Sequence, residues 1–374
     1  MDVTPPTPAP AGPVAPRPAP ARRGAVRAGR APAAARVRRT WIACAALLVG
    51  AVVAGVGIGP AGVPAGRAVL DLVDRLPLID IDSGLDARQS AILWELRLPR
   101  VVLGLIVGAT LSLAGGAYQG VFRNPLADPY LLGAAAGAGL GATAVLAVGG
   151  GGGWGPFDLL PAAAFVGALV AVGLTYVVGM AAGRGLDGAT TALILAGVAM
   201  ASLFTALQTY LQQRTDDTLR EVYAWILGGL STSGWAEVRL ILPWTAAAAV
   251  GVLLHGRSLD VLAVGDEEAT TLGLPVDRTR LFVVVAASLG TAAAVAVSGL
   301  IGFVGIIVPH TLRLLAGHSY RVILPLALVG GGAFLVLADL VARSALSPAE
   351  VPIGVVTALV GAPFFLVLLG RRPL

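Results

Sequence analysis

Side chains able to do chemistry are sparse in this 374-residue chain, and their spacing argues against covalent catalysis. All 26 basic residues are arginine. A Walker A phosphate loop needs a lysine after its glycines, so the chain holds no standard P-loop. Any ATP that drives it is hydrolysed by another polypeptide. Gly137, Gly139 and Ala142 in GAGLGA fit the dinucleotide fingerprint, and Asp158 follows at about the expected distance. No strand pattern precedes them, however, and the path to Asp158 runs through GGGGGWGP. Small residues in such apolar runs serve close helix packing, and Gly104/Gly108 and Gly116/Gly120 read the same way. The single Cys44 rules out an internal disulfide and offers no cysteine cluster for metal. His255, His310 and His318 are scattered and read as structural or interfacial, so no metal site is expected. Asp339 is the one acid inside an apolar run, near its end; buried charge of that kind marks function by default.

The elements that position these residues follow from composition. The chain is 56% hydrophobic and 13% charged, with a mean hydropathy of +0.84; a soluble domain carries about 25% charged residues. A helical span needs roughly 20 apolar residues. Runs that fit are 41–59, 101–121, 130–149, 159–182, 189–210, 238–255, 322–341 and 353–370, together with a long stretch over 281–316. That stretch is too long for one upright helix, and SGLIG at 298–302 predicts a turn that divides it into 281–298 and 300–316. The runs are apolar on all sides, unlike the alternating strands of a β-barrel. The expected fold is therefore an all-α polytopic membrane protein with about ten transmembrane helices per subunit and both termini on one side.

Residues 1–40 are rich in Pro, Ala and Arg, too poor in large apolar groups to bury a core, and read as a disordered basic cytosolic tail before a permease domain at 41–370. Basic residues favour the cytosolic side. With the N-terminus inside, seventeen arginines fall inside and nine outside, and the eight arginines of the tail decide the balance. This places 60–97 and 211–236 outside and 256–280 inside, in the inner membrane of a bacterium.

The segment 256–280 contains GDEEATTLGLP (265–275), where Asp266, Glu267 and Glu268 stand in a row between two apolar runs. Acids at the start of a short helix suit its dipole, and Gly273 with Pro275 would stop it. By pattern alone the stretch is either a solvated loop or a charged handle for another protein.

Six separate stretches, in order over roughly 95–370, resemble the permease subunits of type II (FecCD-type) ABC importers for ferric siderophores, haem and cobalamin. They are RLPR (97–100), FRNPLADPYLLG (122–133), GDEEATTLGLP (265–275), GFVGIIVPHTLRLLAG (302–317), ADLVAR (338–343) and EVPIGVVTALVGAPFF (350–365). The resemblance implies ten helices per subunit and two subunits around a central path. It implies that Gly265, Asp266, Glu267, Glu268, Ala269, Leu272 and Gly273 form the cytosolic coupling segment that docks on an ATP-binding cassette subunit. The acid run exceeds the family's usual version, which suggests a basic groove on that partner.

Arg97 and Arg343 resemble the family's outward arginines, which pair with carboxylates of an extracytoplasmic substrate-binding protein; Glu350 would orient Arg343 or face water. Asn124 and Leu126 align with a cytosolic gate, though a tight Pro-bracketed turn would account for the same pattern. The implied partners are thus the ATPase, the binding protein, a second copy of the chain and the lipid bilayer, with no nucleic acid. The chain itself needs no cofactor, since ATP and Mg belong to the ATPase, and it is not an enzyme. The alternative is an ion-coupled secondary transporter or channel for a small solute, which the sparse intramembrane charge disfavours. RVILP (321–325) and VPIGVVTA (351–358) lean toward the cobalamin and haem members, while ferric siderophores are the family's commonest cargo.

Overall fold

The computed structural model describes residues 30–59, 63–75, 83–149, 159–183, 189–214, 218–230 and 234–370. Among the described residues, ten apolar helices appear where the hydropathy pattern requires them. They are α1 (Arg30–Gly57), α4 (Leu98–Val121), α5 (Ala134–Ala147), α6 (Leu159–Gly183), α7 (Ala189–Gln212), α9 (Ala236–Leu254), α12 (Val276–Ser298), α13 (Val304–Ala316), α14 (Tyr320–Ser344) and α15 (Ile353–Gly370). Seven are long and apolar enough to cross a bilayer; α5, α13 and α15 have shorter apolar stretches. Between them lie short helices: α2 (Ala65–Asp74), α3 (Ala87–Ala91), α8 (Leu219–Ile226), α10 (Gly256–Leu262) and α11 (Asp266–Thr271).

The first helix departs from expectation. It begins at Arg30, inside the stretch read as a tail, because APAAARVRR is rich in the good helix formers Ala and Arg and its Pro32 falls in the first turn, where proline is tolerated. Residues 1–29 lie outside the described residues. Short helices also lie in the described parts of 60–97 and 211–236, between the apolar runs. Asp86 and Gln89 form a reciprocal capping box that starts α3.

Helix α4 is the axis of the bundle, packed by α14, α12, α13 and α9. Glycines let the backbones meet: a Cβ at Gly108 would stand 2.3 Å from the Gly331 carbonyl oxygen, and one at Gly331 would stand 2.4 Å from that of Gly108. The GAGLGA glycines do the same work between α5 and α6, where a Cβ at Gly137 would stand 2.2 Å from the Gly167 carbonyl.

The turn expected at SGLIG is present. Gly299 takes φ 64° and closes α12, and Phe303 takes φ 68° at the start of α13. The α13 helix has 13 residues, so at 1.5 Å per residue it is about 20 Å long, short of a full bilayer core. Its Gly305 packs against Gly115 of α4 and Pro129 of the 122–133 loop, which places the break between α12 and α13 within the bundle. Tyr130 pins it there, its hydroxyl donating to the Ile301 carbonyl at 3.0 Å and accepting from the Ile301 N–H at 3.1 Å.

Candidate functional sites at the two ends of the bundle

At one end, RLPR and ADLVAR converge. Pro99 has no N–H to give, so it cannot donate to the carbonyl of residue 95. The ladder before α4 widens into a π-type turn over Ile92–Arg97, with the Leu98 N–H reaching the Leu93 carbonyl; such turns gather at functional sites. The turn carries Arg97 under the end of α1. Its guanidinium donates to the Val56 carbonyl at 3.0 Å and reaches that of Gly57 at 3.5 Å. Arg343, in the last turn of α14, donates to the Gly55 carbonyl. A helix ends with carbonyls that lack intrahelical donors and with partial negative charge, so two arginines from distant segments cap α1.

Arg97 and Arg343, expected to face outward, are thus engaged within the chain. They are 5% and 4% exposed and sit beneath the surface of the chain. Glu350, expected to orient Arg343 or face water, pairs with Arg100 at 2.8 and 2.9 Å. Arg100 also forks onto Asp339, at 2.8 to 3.2 Å, and Asp339 lies 3.5 Å from Arg343. The Glu350 side chain is 46% exposed, and the hydrogen bond from Arg100 holds its carboxyl below the usual carboxylate range. Arg100 is the residue that sequence reasoning missed. It stands in the quoted RLPR motif, and Asp339 had no assigned partner; matching those two orphan charges was the available signal.

At the opposite end, 256–280 folds into two short helices. Asp260, in the last turn of α10, accepts from the Ser319 hydroxyl at 2.7 Å and from the Tyr320 N–H, anchoring the segment to the start of α14. Gly265, at φ 148°, precedes α11, and the Glu268 carboxylate folds back over it so closely that a Cβ there would stand 2.0 Å from Oε2. Gly273 at φ 83° ends the turn, with the Leu274 N–H closing on the Ala269 carbonyl at 3.0 Å. Ala269 faces inward at 0% exposure, whereas Val264 and Leu272 are 65% and 70% exposed. Glu267 and Glu268 are exposed beside them, giving a face that is apolar and acidic together. Asp266 turns the other way, toward Arg280 at 3.1 Å and Arg123 at 3.3 Å.

The 124–127 turn adjoins this end. Asn124 Oδ1 accepts from the Leu126 N–H at 2.9 Å, and the Asn124 carbonyl accepts from the Ala127 N–H at 3.1 Å. The tight turn is therefore real, and it presents Leu126 at 47% exposure. An apolar concavity of about 640 Å3 opens between the α12–α13 break and α15, lined among others by Leu227, Leu300, Phe303 and Leu359. The histidines stay apart: His255 stacks on Phe282 and His310 meets Phe364 edge-on. Among the described residues, no cluster of three or more His, Cys, Asp or Glu side chains could hold a metal.

Ten apolar helices, a charged lattice at one end and a short acidic helix at the other define a multi-pass membrane transporter subunit. The chain belongs to the FecCD transport family, whose sequence profile matches residues 47–371. It is 41% identical over 289 residues to the cobalamin import permease BtuC of Halobacterium salinarum, covering 77% of this chain and 76% of that one. The hemin transport permease HmuU of Yersinia pestis is 37% identical over 290 residues, covering 75% and 84%. Among solved structures, an inward-facing transporter assigned to the metal-chelate type of ABC transporter superposes with a TM-score of 0.75 at 30% identity. That match covers 88% of this chain and 98% of the other.

Proposed function

We propose that this chain is the membrane path of an importer for a metal–tetrapyrrole chelate, of the cobalamin or haem kind. Relatives of both kinds match three quarters of the chain. The chain is the permease of an ABC importer and hydrolyses no ATP itself; without lysine it has no Walker A motif. The observation that carries the reading is the short capped helix α11, which projects an apolar and acidic face from the bundle end. A rigid helix with surface charge suits docking to a basic groove on an ATP-binding cassette subunit.

At the other end, Glu350 of the Arg100–Glu350 pair, its side chain 46% exposed, is a charge to which a substrate-binding protein docks. Arg97 and Arg343 add positive potential from beneath it. A partner carboxylate would exchange with Glu350 for the Arg100 fork, and charge-assisted pairs of this sort are the stronger class of hydrogen bond. A second copy of the chain packs along α15, whose Leu359 and Leu366 are each 70% exposed, and closes the apolar concavity into a path. The termini are cytosolic and the membrane is the bacterial inner membrane, in line with the arginine balance.

The test is uptake into proteoliposomes holding the chain, its ATPase and its binding protein, with cyanocobalamin, hemin or a ferric siderophore outside. ATP-dependent uptake of a tetrapyrrole is expected. Uptake of the siderophore alone would refute the cargo assignment, and uptake driven by an ion gradient without ATP would refute the importer.

A further inference from the structure

The geometry points to a division of labour within the acid run: Glu267 and Glu268, both exposed, are left for the ATPase, while Asp266 is a positioning residue that ties the coupling helix to the loop 122–127. The inference rests on the reading of 265–275 as the ATPase handle and deepens it.

Three observations carry it. Asp266 is the first residue of α11, and its carboxylate is shared between two arginines on two other elements. Arg280 of α12, its side chain 6% exposed, places Nη2 at 3.1 Å from both carboxylate oxygens. Arg123, just past the end of α4, reaches it at 3.3 Å. The second observation is the backbone of Arg123. It takes φ 48°, a left-handed conformation that glycine adopts freely and that a Cβ opposes. Non-glycine residues held this way gather at switch and clamp positions, and here the conformation accompanies a guanidinium directed at α11.

The third observation is the turn immediately after Arg123. Asn124 locks residues 124–127 into a tight turn, so displacement of Arg123 is passed to Leu126 as a unit. A half-exposed pair such as Arg123–Asp266 is a weak strut alone. The buried Arg280 stiffens it by holding the carboxylate from below. A push on α11 thus travels through one carboxylate into both α12 and the 122–127 loop, while Glu267 and Glu268 stay exposed.

The experiment uses the full complex, the chain purified with the ATPase that accompanies it, reconstituted with its binding protein. Three quantities are read: ATPase retained per permease, ATP hydrolysed, and ligand transported per ATP. Asp266→Asn should retain the ATPase at the wild-type ratio and transport about tenfold less ligand per ATP, the scale of a typical coupling energy. Arg123→Gln should lower coupling less, because Arg280 still holds Asp266, and the double variant should be no worse than Asp266→Asn alone, which already breaks the Arg123 link. Asp266→Glu should recover most of the coupling, which a merely structural defect would not predict. Glu267→Gln with Glu268→Gln should instead shed the ATPase. Loss of the ATPase in Asp266→Asn, or multiplying defects in the double variant, would overturn the inference. If Asp266→Asn fails to fold, Arg123→Gln decides alone, since its side chain is exposed. A wild-type chain that retains no ATPase would overturn the handle reading first and this inference with it, before any variant is made.

Discussion

Asp339→Asn keeps the shape of the side chain and removes one negative charge from between two guanidiniums. Asp339 is 2% exposed; it accepts the Arg100 fork at 2.8 to 3.2 Å and lies 3.5 Å from Arg343. Breaking a buried pair by removing one partner costs about 3–5 kcal/mol, because the other charge stays buried. Arg100 keeps Glu350 at 2.8 Å and some solvent access, which moves the expected loss to the lower end, about 3 kcal/mol, or roughly two orders of magnitude in the folding equilibrium. Glu350→Gln breaks the half-exposed arm of the same lattice and should cost no more than about 1 kcal/mol. Denaturant unfolding of the purified chain in detergent, followed by tryptophan fluorescence, measures both. In a cycle with Arg100→Gln, Asp339→Asn should show a coupling of about 0.5–3 kcal/mol. Equal losses for Asp339→Asn and Glu350→Gln, or no coupling to Arg100, would refute the view that Asp339 is the keystone of this end.

Gly331→Ala places a methyl 2.4 Å from the Gly108 carbonyl and should destabilise the chain by about 1–3 kcal/mol in the same unfolding assay. Gly173→Ala, with nothing within 4 Å, should stabilise α6 by up to about 1 kcal/mol. Tyr130→Phe removes both hydrogen bonds that hold Ile301 and should cost about 1–3 kcal/mol, with faster amide hydrogen exchange at 299–303 as the local signature. Glu350 has a depressed carboxyl, so its contribution is complete above the ordinary value of about 4.3 and is lost as pH falls through the lower folded value. Melting temperature should therefore show no pH dependence from this residue between pH 5 and 8 and a small acid-side loss that Glu350→Gln abolishes.

The helices were legible because a span needs a long apolar run, and such runs do not occur by accident in a polar background. The division of 281–316 was legible too, since Gly299 supplies a backbone angle that ends a helix. The start of α1 was not, because Ala and Arg suit a helix and a polar tail equally. The short helices between the spans escaped because segments such as 65–74 lack the length that hydropathy detects. At the charged end, motif spacing picked out Arg97 and Arg343 but not what they touch. The Arg100 contacts span 239 and 250 residues of sequence, and no local periodicity encodes which arginine meets which carboxylate. The acid run at 266–268 was visible as a unit; that Asp266 pairs with Arg280 and with a left-handed Arg123 is something no pattern announces.

The capping of α1 has a consequence for how the protein is made. Its carboxyl end is completed by Arg97, and then by Arg343, a residue synthesised 288 positions after Gly55. During synthesis the first helix therefore enters the bilayer with its terminal carbonyls incompletely capped, and stays so until the ninth apolar helix is in place. Closure of the bundle at that end is a late assembly event, set by translation order, and it joins segments synthesised 288 residues apart.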